Sequence, residues 1–142
     1  SKKCDTLSLS LEGNPVATNM GNPHCTYFVE NIETHSISKT GSETEINSLF
    51  PQKTNVQIAE IIDTTTIKVK VWERGSGVTL ASSSSACAVA VASNRLALTT
   101  GIVRVALDGG NLFVDWQKDG VWVTGPTAFV FSGEISEENL KI

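Results

Sequence analysis

The stretch Ser83-Ser84-Ser85-Ala86-Cys87-Ala88-Val89-Ala90-Val91-Ala92-Ser93-Asn94-Arg95-Leu96 decides how the rest of the sequence is read. From Ala86 to Ala92 no residue is charged or amide-bearing, so a helix over Ser83–Leu96 has no polar face along that run. A helix that is apolar on every side is buried on every side. Its side chains are small, which lets surrounding strands come close. The run is too short to span a bilayer.

Around this helix the sequence alternates. Leu7, Leu9 and Leu11 alternate with polar neighbours over Thr6–Leu11, the period-two pattern of a half-buried strand. Further strands are expected at Cys25–Val29, Asn55–Ile62, Thr66–Trp72, Gly101–Leu107, Asn111–Trp116, Val121–Thr124 and Thr127–Phe131. Asp108-Gly109-Gly110 and Asp119-Gly120 are expected to supply positive-φ residues for tight hairpins, and Asp63-Thr64-Thr65 a further reversal. Ser42, followed three residues later by Glu45, reads as a capping box that opens a short helix over Ser42–Leu49, before Pro51. The expectation is a single α+β domain over residues 1–142, about eight strands wrapped around one buried helix, with no internal linker.

Composition narrows the functional classes. With 142 residues, 40% hydrophobic and 18% charged, the chain is globular in character. A net charge of −4, with Lys2-Lys3 as the longest basic run, argues against nucleic acid and against an anionic membrane surface. Three cysteines, Cys4, Cys25 and Cys87, form no C-x-x-C pair, which favours a reducing cytoplasm over a disulfide framework. The first residues are polar, so no secretory signal is expected. The single methionine is Met20, and a cut fragment is the simplest account of the Ser1 start.

The chemistry concentrates where a strand runs into the apolar helix: Trp72-Glu73-Arg74-Gly75-Ser76-Gly77-Val78-Thr79-Leu80-Ala81-Ser82-Ser83-Ser84-Ser85-Ala86-Cys87. Helix N-termini carry unpaired N–H groups and partial positive charge, so this junction suits an anion such as a carboxylate. The plainer alternative is that the serines only cap the helix and Glu73-Arg74 is a surface ion pair. His24, after the Gly21-Asn22-Pro23 turn, reads as structural sooner than catalytic, and Asn55 as a strand-start cap. His35 is assigned no role. No P-loop, zinc or calcium spacing, or G-x-S-x-G elbow is present.

Six motifs occur in order: Met20-Gly21-Asn22-Pro23-His24, Phe50-Pro51, Thr54-Asn55-Val56, Trp72-Glu73-Arg74-Gly75-Ser76-Gly77, Ala86-Cys87-Ala88 and Thr124-Gly125-Pro126. This series, over roughly Asn19 to Glu134, resembles the C-terminal half of the diaminopimelate epimerase family. The resemblance implies one half of a two-half fold, a barrel-like, mainly antiparallel sheet around a central helix, with the active site between halves. It implies cofactor-independent, two-base epimerisation of LL- to meso-diaminopimelate in the cytoplasm, supplying lysine and peptidoglycan precursors. The implied partners are the amino-acid substrate and the N-terminal half, without which this chain is expected to be inactive. A homodimer of the full-length protein is compatible with it.

Residue by residue, the resemblance implies that Asn22 and Asn55 hydrogen-bond the substrate. It implies that Arg74 contacts the substrate and Glu73 assists the acid/base. Ser83 and Ser84 align with the amides that hold the α-carboxylate, and His24 with a histidine supporting the cysteine of the other half. The chain departs from the pattern at one place. Where the family reads Ala-Cys-Gly-Thr-Gly, this sequence has Ala81-Ser82-Ser83-Ser84-Ser85. Ser82 occupies the acid/base cysteine position, and Cys87, five residues further on, is no substitute. An engineered change, a natural variant with altered chemistry and a homologue without catalysis all fit. A racemase for another amino acid and a non-catalytic amino-acid-binding domain are the alternative functions.

Overall fold

The computed structural model describes residues 6–136; Lys2, Lys3 and Cys4 lie outside them. Nine strands form one sheet: β1 (Thr6–Ser8), β2 (Val16–Asn19), β3 (Pro23–Val29), β4 (Asn55–Asp63), β5 (Thr66–Glu73), β6 (Gly77–Thr79), β7 (Val103–Leu107), β8 (Gly110–Gln117) and β9 (Gly120–Thr124). Among the described residues two α-helices accompany it, α1 (Ile37–Glu45) and α2 (Ser83–Arg95), with one 3-10 turn at Ile32–Thr34. The strand order is β1-β2-β3-β4-β5-β7-β8-β9, with β6 also on β5. Two pairings, β3 with β4 and β5 with β7, are parallel and the rest antiparallel. The sheet curls into a half-barrel.

Helix α2 fills the curl as its sequence requires. Ser85 to Ser93 are all buried, and Val89 and Val91 have no exposed surface at all. The helix packs against β2, β3, β4, β5, β7, β8 and β9. Ala59, Ile67, Val69, Val71, Val103 and Val105 close over Ala86, Val89 and Ala90.

Helix α1 covers the opposite face of β4 and β5. Strand β4 is therefore covered on both sides, and its residues Asn55–Ala59 are buried without interruption. Gln57 and Ala59 face α2, while Ile58 joins Ile32, Ile37 and Trp72 beneath α1. No helix among the described residues is long and apolar enough to cross a membrane.

Several expectations need correction. The short helix is Ile37–Glu45, not Ser42–Leu49. Its cap is Ser36, whose hydroxyl accepts from the Lys39 amide at 3.3 Å. Ser42 instead donates to the Lys39 carbonyl, and Glu45 turns away to Trp72 and Gly75, so the capping box does not form. Thr127–Phe131 is not a strand: Pro126 offers no amide hydrogen, nothing among the described residues pairs with the segment, and Phe129, Val130 and Phe131 are at least 80% exposed. The first strand stops at Ser8, because the chain turns back and Leu9 N–H bonds to Pro15 O. Strands β2 and β6 were not expected. Gly110 supplies the positive φ (+137°) in the first late hairpin, but Asp119 and Gly120 supply none in the second. The Asp63 turn forms, its carboxylate accepting from the Thr65 amide at 2.7 Å.

Gly41 is set by packing rather than propensity. A Cβ there would lie 2.4 Å from the Trp72 ring. Alanine is the better helix former by about 1 kcal/mol, but pushing the ring aside costs about 1–3 kcal/mol. Gly41→Ala should therefore lower stability, measurable as an earlier urea midpoint at unchanged slope.

Candidate active site

Register brings the candidate residues to one end of the sheet. The parallel pairing of β3 and β4 sets His24 beside Asn55 and Thr26 beside Gln57. Strand β5 runs the other way, with Val71 opposite Gln57 and Trp72 opposite Val56, so Glu73 and Arg74 emerge at the same end. Ile67, Val69 and Val71 face α2, and the two-residue alternation of the strand carries Glu73 to that side. Strand β6 then leads through Leu80 and Ala81 into α2, held where Gly109 N–H bonds to Leu80 O at 2.7 Å.

Ser82 is the N-cap of α2, with extended backbone (φ −152°, ψ 121°). Its hydroxyl accepts from the Ser85 amide at 3.4 Å and lies 3.5 Å from the Ser84 hydroxyl. Ser83 and Ser84 occupy the first two helical positions, where N–H groups have no intrahelical acceptor. Ser83 is exposed and Ser84 half-buried, so these amides sit at the open end of the helix. Neither thiol among the described residues replaces Ser82. Cys87 is buried within α2, and burial pushes the Cys25 thiol up to about 12.

His24 is fully buried. Its Nε2 lies 2.9 Å from Asn22 Oδ1, and its Nδ1 lies 3.0 Å from Gln57 Nε2. Burial, and secondarily the Arg74 charge, bring its pKa down to about 4, so the ring is neutral at pH 7. Gln57 Nε2 also donates to Ser85 Oγ at 3.0 Å, and Gln57 Oε1 accepts from Thr26 Oγ at 3.1 Å. Gln57, Ser85 and Thr26 were missed as site residues. The signal for Gln57 was an amide inside the otherwise apolar run Val56–Ala59.

Asn55 joins the strand ends: its Nδ2 donates to Pro23 O at 2.9 Å, and its Oδ1 accepts from the Arg74 amide at 3.0 Å. The Arg74 guanidinium is exposed and donates to Gln52 O at 3.0 Å. The turn after it is pinned by Glu45, which takes the Gly75 amide at 3.1 Å and the Trp72 indole N–H at 2.7 Å. The Trp72 bond above all, with help from Gly75 and Lys53, keeps the Glu45 carboxyl below its usual range. Glu73 is half-buried, and its carboxylate has no hydrogen bond among the described residues. Glu73 and Arg74 therefore do not form the surface ion pair considered above.

A cavity of about 430 Å³ reaches Asn22 and His24, walled by Leu7, Thr18, Phe50 and Lys53. Glu73, Arg74 and Ser82–Ser84 lie outside it. A larger one, about 880 Å³, lies on the α1 side against Tyr27, Glu43 and Thr44 and touches none of the candidate residues. No group of three or more His, Cys, Asp or Glu among the described residues could hold a metal ion.

The buried histidine has a consequence for stability. Its pKa falls from 6.5 unfolded to about 4 folded. Protonation therefore favours unfolding: the contribution is complete above pH 6.5 and is lost as pH falls toward 4. At pH 5 the loss amounts to about 2 kcal/mol. The lowered carboxyls of Glu33, Glu45 and Asp63, with ordinary values of 4.5, 4.5 and 3.8, act mainly below this window. Urea unfolding at pH 7.5 and 5.0 should show the drop, and His24→Gln should remove most of it.

A sequence model of the diaminopimelate epimerase family matches residues 16–130. The chain is 45% identical over 136 residues to the diaminopimelate epimerase of Elusimicrobium minutum, covering 92% of this chain and 50% of that protein. It is 47% identical over 116 residues to that of Halothermothrix orenii (82% and 41%) and 44% identical over 124 residues to that of Methanococcus maripaludis (86% and 45%). The chain thus spans about half the length of the curated relatives it matches. Among solved structures, a phenazine biosynthesis PhzF family protein of Enterococcus faecalis superposes with a TM-score of 0.53 at 11% identity, covering 68% of this chain and 35% of that one. A putative PhzC/PhzF protein of Clostridium difficile gives 0.52 at 13% identity, with 80% and 39% covered. These two likenesses concern the fold alone. With the family model running from β2 to beyond β9 and relatives above 40% identity over most of the chain, this protein belongs to the diaminopimelate epimerase family.

Proposed function

We propose that this chain is the C-terminal half of a cytoplasmic diaminopimelate epimerase, completed by an N-terminal half that brings the opposing acid/base. The observation that carries the reading is the convergence of Asn22, His24, Asn55, Glu73, Arg74 and the start of α2 at one end of the sheet. The amides of Ser83 and Ser84 and the Arg74 guanidinium hold carboxylate oxygens, Arg74 with two parallel donors. Asn22 and Asn55 fix the substrate's remaining polar groups. Glu73 assists the base on this half, and neutral His24 supports the cysteine of the other. One base removes the α-proton from one face of the carbon and the second returns a proton to the opposite face. The developing carbanion is stabilised through the carboxylate by preorganised amides, with no cofactor.

Position 82 is where the chemistry is weakest. A thiol at a helix N-cap has its pKa lowered toward neutrality, whereas the Ser82 hydroxyl serves as the cap itself. This favours a second reading, an amino-acid-binding homologue without turnover. In the protein completed by its N-terminal half, Ser82→Cys should raise α-proton exchange into heavy water about 10²–10⁴-fold and change substrate affinity little. The 142-residue chain alone should catalyse none. An unchanged rate with carboxylate binding that Arg74→Ala weakens would favour the binder. An unchanged rate with binding indifferent to Arg74→Ala would overturn the site, leaving the serines as a helix cap.

A further inference from the structure

Gln57 sits at the centre of the buried polar cluster, and each atom of its amide is engaged. It is fully buried, as are Thr26, His24 and Ser85 around it. Its Oε1 accepts from the Thr26 hydroxyl at 3.1 Å. Its Nε2 has two hydrogens and two acceptors in reach, His24 Nδ1 at 3.0 Å and Ser85 Oγ at 3.0 Å. An amide nitrogen can only donate. His24 Nδ1 must therefore accept, and in the neutral ring the hydrogen then sits on Nε2. That N–H points at Asn22 Oδ1, 2.9 Å away. Asn22 is left with its two amide hydrogens to offer elsewhere. The bonds thus run in one direction, from Thr26 through Gln57 and His24 to Asn22.

We propose that Gln57 is a positioning residue: it selects the Nε2–H tautomer of His24, so that Asn22 presents donors, and through Ser85 it ties that histidine to the start of α2. The tie depends on a residue at which this chain departs from its family's pattern. The resemblance drawn above aligns position 85 with the last glycine of Ala-Cys-Gly-Thr-Gly, and this chain has a serine there. A glycine has no side-chain oxygen and would leave one buried Gln57 N–H without this acceptor. Gln57 and Ser85 therefore form a matched pair. It joins the strand carrying the histidine's support to the helix whose N–H groups face the site. Only the use of those Asn22 donors toward a substrate rests on the epimerase reading. The tautomer does not.

The test uses the whole 142-residue chain labelled with ¹⁵N, without substrate. Long-range ¹H–¹⁵N correlation at pH 7 reports which ring nitrogen of each histidine is protonated, and His35→Gln assigns the two rings. The expected spectrum has His24 protonated at Nε2 and bare at Nδ1. The near-isosteric Gln57→Glu replaces the donor by a carboxylate that can only accept, so Nδ1 should become protonated. Gln57→Leu removes the donor and should leave a mixture of tautomers. A hydrogen on Nδ1 in the unaltered chain, or a bare Nδ1 retained in Gln57→Glu, would overturn the proposal. Since no turnover is measured, a negative result here is separate from a negative result with Ser82→Cys.

Discussion

The close approach of the sheet to α2 is the constraint on which the rest of this structure depends. Alanine at positions 86, 88, 90 and 92 lets seven strands contact one helix, and the only larger aliphatic side chains in that run, Val89 and Val91, fill the space between. Close-packed interiors tolerate little change of volume, so the helix axis, and with it the position of its N-terminus, is held by the whole curl of the sheet. The N-terminal end of α2 is thereby placed without any residue dedicated to placing it. Strand β6 completes the arrangement by occupying the edge of β5 only over Val71–Glu73, leaving the edge over Thr66–Val69 to β7.

The second organising feature is that β4 is covered on both faces. Its outward residues serve the α1 cluster and its inward residues the α2 core, so a polar side chain on either face must find partners inside the protein. Gln57 does so at the level of His24, and Glu60 does so nearer the other end, accepting from the Ile32 amide at 2.8 Å. Asn55, at the start of the strand, cross-links the first residue of β3 to the residue just after β5. The candidate residues are thus held largely by backbone and by neutral amides. A neutral histidine beside an exposed arginine follows from that, since no anion among the described residues is buried against it to support a charged ring.

Legibility in the sequence followed the physics of each segment. Helix α2 could be read because its composition admits one environment, and β5, β7 and β8 because their alternation matches a sheet with one face on a core. Helix α1 was misplaced because Ser42 and Glu45 satisfy a local capping rule, while Ser36 and the contact of Gly41 with Trp72 are what position it. Strands β2 and β6 span four and three residues and depend on their neighbours for pairing, so no local pattern marks them. Among the candidate residues, Asn22, His24, Asn55, Glu73 and Arg74 were legible through ordered motifs, and Ser82–Ser84 through their place at the strand-to-helix junction. Gln57 and Ser85 were not, because what distinguishes them is a partner far away in the chain. Local rules describe bonds a residue makes with its neighbours, and the His24–Gln57–Ser85 link joins three separate elements.

The far edge of the sheet has a practical side. Strand β9 carries Trp122 and Val123 at the surface, has no charged residue, and is paired on one side only among the described residues. Just beyond Pro126 the chain exposes Phe129, Val130 and Phe131 in succession. An uncharged edge strand next to an apolar segment is a template for edge-to-edge association between copies. This rim is thus the part of the described surface suited to pairing between copies in concentrated solution, and a lysine introduced at Val123 would act there as a gatekeeper.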